Sequence, residues 1–164
     1  MLHTMSENGS LLQAEPGYRD DVISFISQPL SQDQKFAGSI RVSLFVATDG
    51  EDTAFTAKIC EVKPDGKAYN IRSSITTVAH SLPADEKYTP DNIVPVQIEM
   101  WDIAFTIRQG SRIRVDVSSS DFPQYNAHTN YAGLWSGQRQ TRIARQTIYY
   151  GGKYPSAIVL PTNN

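Results

Sequence analysis

The alternation of apolar and polar residues is clearest in Arg112–Ser118, where Ile113, Val115 and Val117 point one way and Arg112, Arg114 and Asp116 the other. A period of two is what a half-buried strand requires, because successive side chains fall on opposite faces of a sheet. Gln109-Gly110 supplies the turn before it, and Pro123 lies in the segment that ends it, with no N–H to offer a ladder. The same alternation runs through Ser39–Thr48, with Ile40, Val42, Leu44 and Val46 on one face. It recurs in Ala54–Val62, through Phe55, Ala57 and Ile59, and in Ile93–Met100, through Val94, Val96, Ile98 and Met100. Pro95, on the outward side of that last segment, predicts an edge position or a break in pairing. Shorter or weaker patterns predict strands at Asp21–Ser27, Ala68–Thr77, Arg145–Tyr150 and Ala157–Leu160. Asp102–Ile107 reads as a strand or a short helical turn.

Turn signals separate these segments at Asp49–Asp52 and Pro64-Asp65-Gly66. Residues 31–35 read as a polar connection, Gly38 as the opening of the next element, and residues 80–92 as a loop. No segment carries a convincing amphipathic helix pattern. The predicted class is all-β, a two-sheet sandwich or a barrel. Residues 1–16 read as an unstructured lead or cloning remnant, and residues 17–164 as one domain.

One connection is long. Ser119–Ile143 holds about 25 residues, among them Phe122, Tyr125, His128, Tyr131 and Trp135. A connection of that length inside a compact domain is functional or disordered, and its aromatics argue for order. These five residues form the candidate site, as a docking surface or a ligand-facing loop.

Charge and composition narrow the chemistry. The net charge is −2, which gives no pull toward nucleic acid or an anionic membrane. Residues beyond 100 lean basic, with seven Lys/Arg against three acids, which reads as a solvated face. Cys60 is the single cysteine, so no internal disulfide and no thiolate zinc site of ordinary spacing is expected. No signal-peptide pattern and no run of transmembrane length is present; with the lone cysteine, this favours the cytoplasm. Asp49, Glu51, Asp52 and Asp65 are better read as turn chemistry than as a calcium loop. Gly133-Leu134-Trp135-Ser136-Gly137 imitates a nucleophile elbow, but the serine stands one place late and no strand-to-helix context surrounds it. His128 is expected to be an ordinary surface histidine. No catalytic residue, metal ligand or cofactor motif can be named from spacing.

Several short stretches, in order, resemble the C-terminal domain of X-Pro dipeptidyl-peptidases and of the cocaine esterase (CocE/NonD) type of serine hydrolase. They include Arg19–Leu30, Gly38–Val42, Thr48–Lys58, Pro64–Asn70, Gly110–Val115, Ser118–Pro123 and Ala144–Tyr150. The resemblance implies a jelly-roll β-sandwich of the galactose-binding-like kind. It implies a non-catalytic accessory domain that follows an α/β-hydrolase domain, packs on it and helps to wall its active site. The triad would then lie in that partner, and the chain would be an isolated domain, cut out or naturally short. A face once covered by the partner should expose apolar and aromatic side chains and favour self-association. After Ser118–Pro123, relatives continue toward an Asn-Thr-Gly type of sequence, whereas this chain reads Tyr125–Gly133 with extra residues before Ala144. The alternative is a free-standing β-sandwich binding module for carbohydrate.

Overall fold

The computed structural model describes residues 9–162, the side chain of Trp135 excepted. It is a sandwich of two antiparallel sheets. Strands β1 (Leu12–Gln13), β2 (Val22–Ile26), β4 (Ala54–Val62), β5 (Ala68–Thr77) and β7 (Arg112–Ser118) form one sheet in the order β1-β5-β4-β7-β2. Strands β3 (Gln34–Thr48), β6 (Val94–Ile107) and β8 (Gln146–Tyr149) form the other in the order β6-β3-β8, and β9 (Ala157–Val159) also pairs with β3.

The alternating positions meet between the sheets. Ile40, Val42, Leu44 and Val46 of β3, with Val96, Ile98 and Met100 of β6, face Phe55, Ala57 and Ile59 of β4 and Val115 and Val117 of β7. All are nearly inaccessible to water. Burial of this kind contributes about 25 cal/mol per Å2 of apolar surface, and it fixes register, because a one-residue slip would turn every one of these side chains outward.

Three boundaries differ from the sequence reading. β3 starts at Gln34, inside the expected polar connection, and Gly38 lies within the strand. The β3–β6 register shifts between Gly38 and Ile40. Gly38 has φ +128°, and an added Cβ would lie 3.2 Å from Pro161, so this bulge excludes larger residues. β6 continues through Asp102–Ile107 as strand, paired from Val46↔Val94 to Gln34↔Ile107. Pro95 does stand on an edge strand. Finally, part of the expected unstructured lead is paired: Leu12 and Gln13 join β5 opposite Tyr69 and Ala68. The Asn70 side chain holds this segment, accepting from the Leu11 N–H (2.5 Å) and donating to the Gly9 carbonyl (3.2 Å). Residues 1–8 of that lead lie outside the described residues.

The polar face of β7 is covered as well. Arg114 is 4% exposed, beneath the segment that follows β1. Its Nε and Nη2 donate to the two carboxylate oxygens of Asp116 at 2.7 and 2.8 Å, and Nη1 donates to the Ala14 carbonyl at 2.8 Å. Ser24 on β2 donates to the same carboxylate at 2.6 Å. Burial alone would pull the Arg114 guanidinium down; the hydrogen bonds and charge of Asp116 more than offset this and leave it raised. Cys60, the β4 residue opposite Arg114, is fully buried, and burial pushes its thiol up to about 12.

Two outcomes follow. Asp116→Ala strands a buried guanidinium and should cost about 3 kcal/mol in urea unfolding, while Arg114→Met/Asp116→Leu should recover much of that loss. Cys60 should react with a thiol reagent only on unfolding. Its folded value lies above the ordinary 9.0, so the stability this thiol contributes is intact below about 9 and is lost as pH rises toward 12. That alkaline loss should shrink in Cys60→Ala.

Candidate functional site

The loop between β7 and β8 is built outward from two anchors. The first is the end of β7. The Ser118 hydroxyl donates to the Ser120 carbonyl at 2.7 Å and sits 3.0 Å from the Thr56 hydroxyl. Arg19 donates to the Ser120 hydroxyl at 3.0 Å, and Lys58 reaches Asp121 at 2.9 Å. These serines are therefore engaged in fixing the exit of the chain. Arg19, Lys58, Arg114, Asp116 and Asp121 line a polar cavity of about 160 Å3 beneath the N-terminal segment. Its cations pair with its carboxylates or with Asp21, whose carboxyl is held below its ordinary range by the Arg19 hydrogen bond.

The second anchor is the acidic turn Asp49–Asp52, and each of its carboxylates is occupied by protein groups. Asp49 accepts from the Arg145 N–H at 2.9 Å and lies 3.5 Å from Arg142. Glu51 accepts from the Ala132 N–H at 3.2 Å. Asp52, buried, accepts from the N–H groups of Thr53 (2.8 Å) and Ala79 (2.9 Å). Its second oxygen faces His128 Nε2 at 3.4 Å. Gly50 packs closely here: an added Cβ would lie 3.2 Å from the Asn130 carbonyl and 3.1 Å from that of Asp52.

Asn130 joins the turn to the loop. Its φ is +66°, the left-handed region that asparagine tolerates better than most residues. Its side chain accepts from the Thr53 hydroxyl at 2.7 Å and donates to the Arg142 carbonyl at 2.7 Å. Its own N–H donates to His128 Nδ1 at 3.0 Å, which leaves Nε2 of a neutral imidazole to carry the proton toward Asp52. His128 is thus an internal bracket, 15% exposed, and not the free surface histidine expected from the sequence. Gln138 closes the far side, donating to the Ala132 carbonyl at 2.9 Å.

The loop so held turns apolar side chains to the outside. Phe122, Leu134 and Ile143 are 73, 83 and 97% exposed. Tyr125 and Tyr131 are half-buried, and the side chain of Trp135 lies outside the described residues. Sequence reasoning on aromatics picked out Phe122 but missed Leu134 and Ile143. Their only signal was a large aliphatic side chain outside any alternating run. No nucleophile, base and orienting group converge among the described residues of this loop.

The two packed antiparallel sheets define a β-sandwich domain. Residues 4–159 match the family model of the X-Pro dipeptidyl-peptidase C-terminal non-catalytic domain, and the chain belongs to that family. It is 32% identical over 165 residues to the cocaine esterase of Rhodococcus sp. (strain MB1 Bresler), a match covering 98% of this chain and 29% of the esterase. Among solved structures it resembles an aminopeptidase from a marine sediment Thaumarchaeota archaeon, at a TM-score of 0.82 and 25% identity, over 90% of this chain and 27% of the other. An α-amino acid ester hydrolase matches at a TM-score of 0.79 and 25% identity, over 88% of this chain and 26% of the other. The chain therefore spans less than a third of the length of each of these relatives.

Asn130→Ala removes two side-chain hydrogen bonds and puts a poorly suited residue at positive φ, which should destabilise the loop by about 2–3 kcal/mol. Limited trypsin digestion should then cut at Arg139 and Arg142 much faster than in the unaltered chain. Asn130→Gly, which relieves only the backbone, should fall between the two.

Proposed function

We propose that the chain is the accessory domain of a serine hydrolase acting on peptide, ester or amide bonds, and that it docks on an α/β-hydrolase domain through the β7–β8 loop. The observation that carries this reading is the pairing of a rigid polar base with outward Phe122, Leu134 and Ile143. Exposed apolar side chains on a mobile loop would lose ordering entropy on docking; here that entropy has already been given up in the folded domain. Relatives more than three times as long supply the room for a catalytic partner. Docked in this way, the loop would stand close enough to the partner to shape a substrate pocket. The same surface, left uncovered, is the expected site of self-association.

The chain alone should show no turnover of X-Pro chromogenic amides or simple esters. In the isolated domain, Leu134→Asp with Ile143→Asp should leave the melting temperature within about 1–2 °C, because neither residue is buried in it. In the intact enzyme the pair should separate the two unfolding transitions and lower kcat/KM at least about tenfold. Unchanged kinetics and a single cooperative transition would sink the docking role of this loop. Turnover by the chain alone, abolished by a serine-directed inhibitor, would sink the accessory role.

A further inference from the structure

The outer strands of the two sheets are not equally protected. A free strand edge is ordinarily blunted by charge, proline, a bulge or brevity. β1 is two residues long, and β8 and β9 are short. β6 carries Pro95, Glu99 and a register shift against β3. β2, Val22–Ile26, has none of these devices: it holds no charge and no proline, and its register against β7 is unbroken. Among the described residues it pairs with β7 alone.

The backbone of that edge is open to a further strand. Ser27 donates its N–H to the Ile113 carbonyl at 2.9 Å. Alternate residues of an antiparallel ladder point the same way, so the groups of Ile23 and Phe25 also aim at β7, and those of Val22, Ser24 and Ile26 aim outward. The Val22 N–H is taken by the Arg19 carbonyl at 3.3 Å, which leaves those of Ser24 and Ile26. The side chains are open too. Ile23 and Phe25 stand opposite Val117 and Val115 on the core face, yet they are 47 and 38% exposed. Tyr150, just beyond β8, packs edge-on against Phe25 at 6.0 Å and is itself largely exposed. The core is thus left uncovered along β2.

This edge is its own complement. In an antiparallel pairing centred on Ser24, the Ser24 groups of two copies exchange both hydrogen bonds, and each Ile26 N–H meets the partner's Val22 carbonyl. Ile23 then falls directly opposite the partner's Phe25, so the apolar face continues across the two-fold axis. Asp20 and Asp21 come to lie opposite the partner's Gln28 and the partner's Ser27, and no like charges meet. A parallel pairing would set the acids side by side.

We propose that two copies of this chain join through β2, edge to edge and antiparallel, into one continuous sheet. The contact is smaller than a standard interface of about 800 Å2 per partner, so the dimer is weak, with a dissociation constant on the order of 10–100 μM. It uses a surface other than the β7–β8 loop and does not depend on the docking role of that loop.

The experiment is sedimentation equilibrium of the Leu134→Asp/Ile143→Asp chain, in which association through the loop is silenced. From about 1 to 500 μM it should show a monomer–dimer equilibrium. Ile26→Pro, which removes an outward N–H and spares the β7 ladder, should weaken that dimer at least about tenfold with an unchanged circular dichroism spectrum. Ser24→Cys sets two thiols across the axis at a Cα separation of about 5.5 Å, and should give a disulfide-linked dimer on mild oxidation. The proposal is overturned by a monomer throughout that range, by a dimer that Ile26→Pro leaves as tight, or by a Ser24→Cys dimer that does not cross-link.

Discussion

Every strand of the smaller sheet hydrogen-bonds to β3. Its 15 residues pair with β6 along one edge and, on the other, with β9 and then β8 at successive positions. Because Ile40, Val42, Leu44 and Val46 must face inward, the register of this one strand sets the register of the whole sheet. It also sets where the chain re-enters after the long loop. Thr48, at the end of β3, pairs with Gln146, at the start of β8, so the acidic turn and the end of the loop are brought together by sheet geometry. The bracket around Asn130 and His128 then needs only short side chains to close.

The two faces of the larger sheet hold by different physics. Its inner face is apolar and nearly dry. Its outer face, between β4, β7 and β2, carries charged groups that pair among themselves beneath the segment after β1. Such pairs add little net stability relative to apolar substitutes, but leaving one member alone is costly. The outcome is geometric: Arg114, held by Asp116, grips the Ala14 carbonyl and fixes the course of the N-terminal segment over the sheet.

Much of the fold was legible because burial on one face writes a period of two into the chain. The strands at Ser39–Thr48 and Arg112–Ser118 were readable for that reason, whereas Ala68–Thr77 was readable from its tyrosine, isoleucine and threonine content. β3 before Ser39 was not, since Gln34, Lys35 and Gly38 carry no alternation and the strand there is sustained by β6 and Pro161. β1 was hidden because two residues are too few for a pattern, and its hold comes from Asn70, about 60 positions away. The candidate site was legible as a loop with a purpose, through its length and aromatics. The roles of Asn130 and His128 were not, because a hydrogen-bond bracket between residues 77 positions apart leaves no local mark. The family resemblance, resting on short ordered motifs, carried the accessory role that spacing alone could not.

The lone cysteine has a practical consequence. With its sulfur sealed in the sheet, the native chain offers no competing thiol to a labelling reagent. A single cysteine placed at Leu134 or Ile143 would thus carry a fluorophore or spin label on an unaltered background. The approach of any partner to the outer loop then becomes a distance that can be read directly in solution.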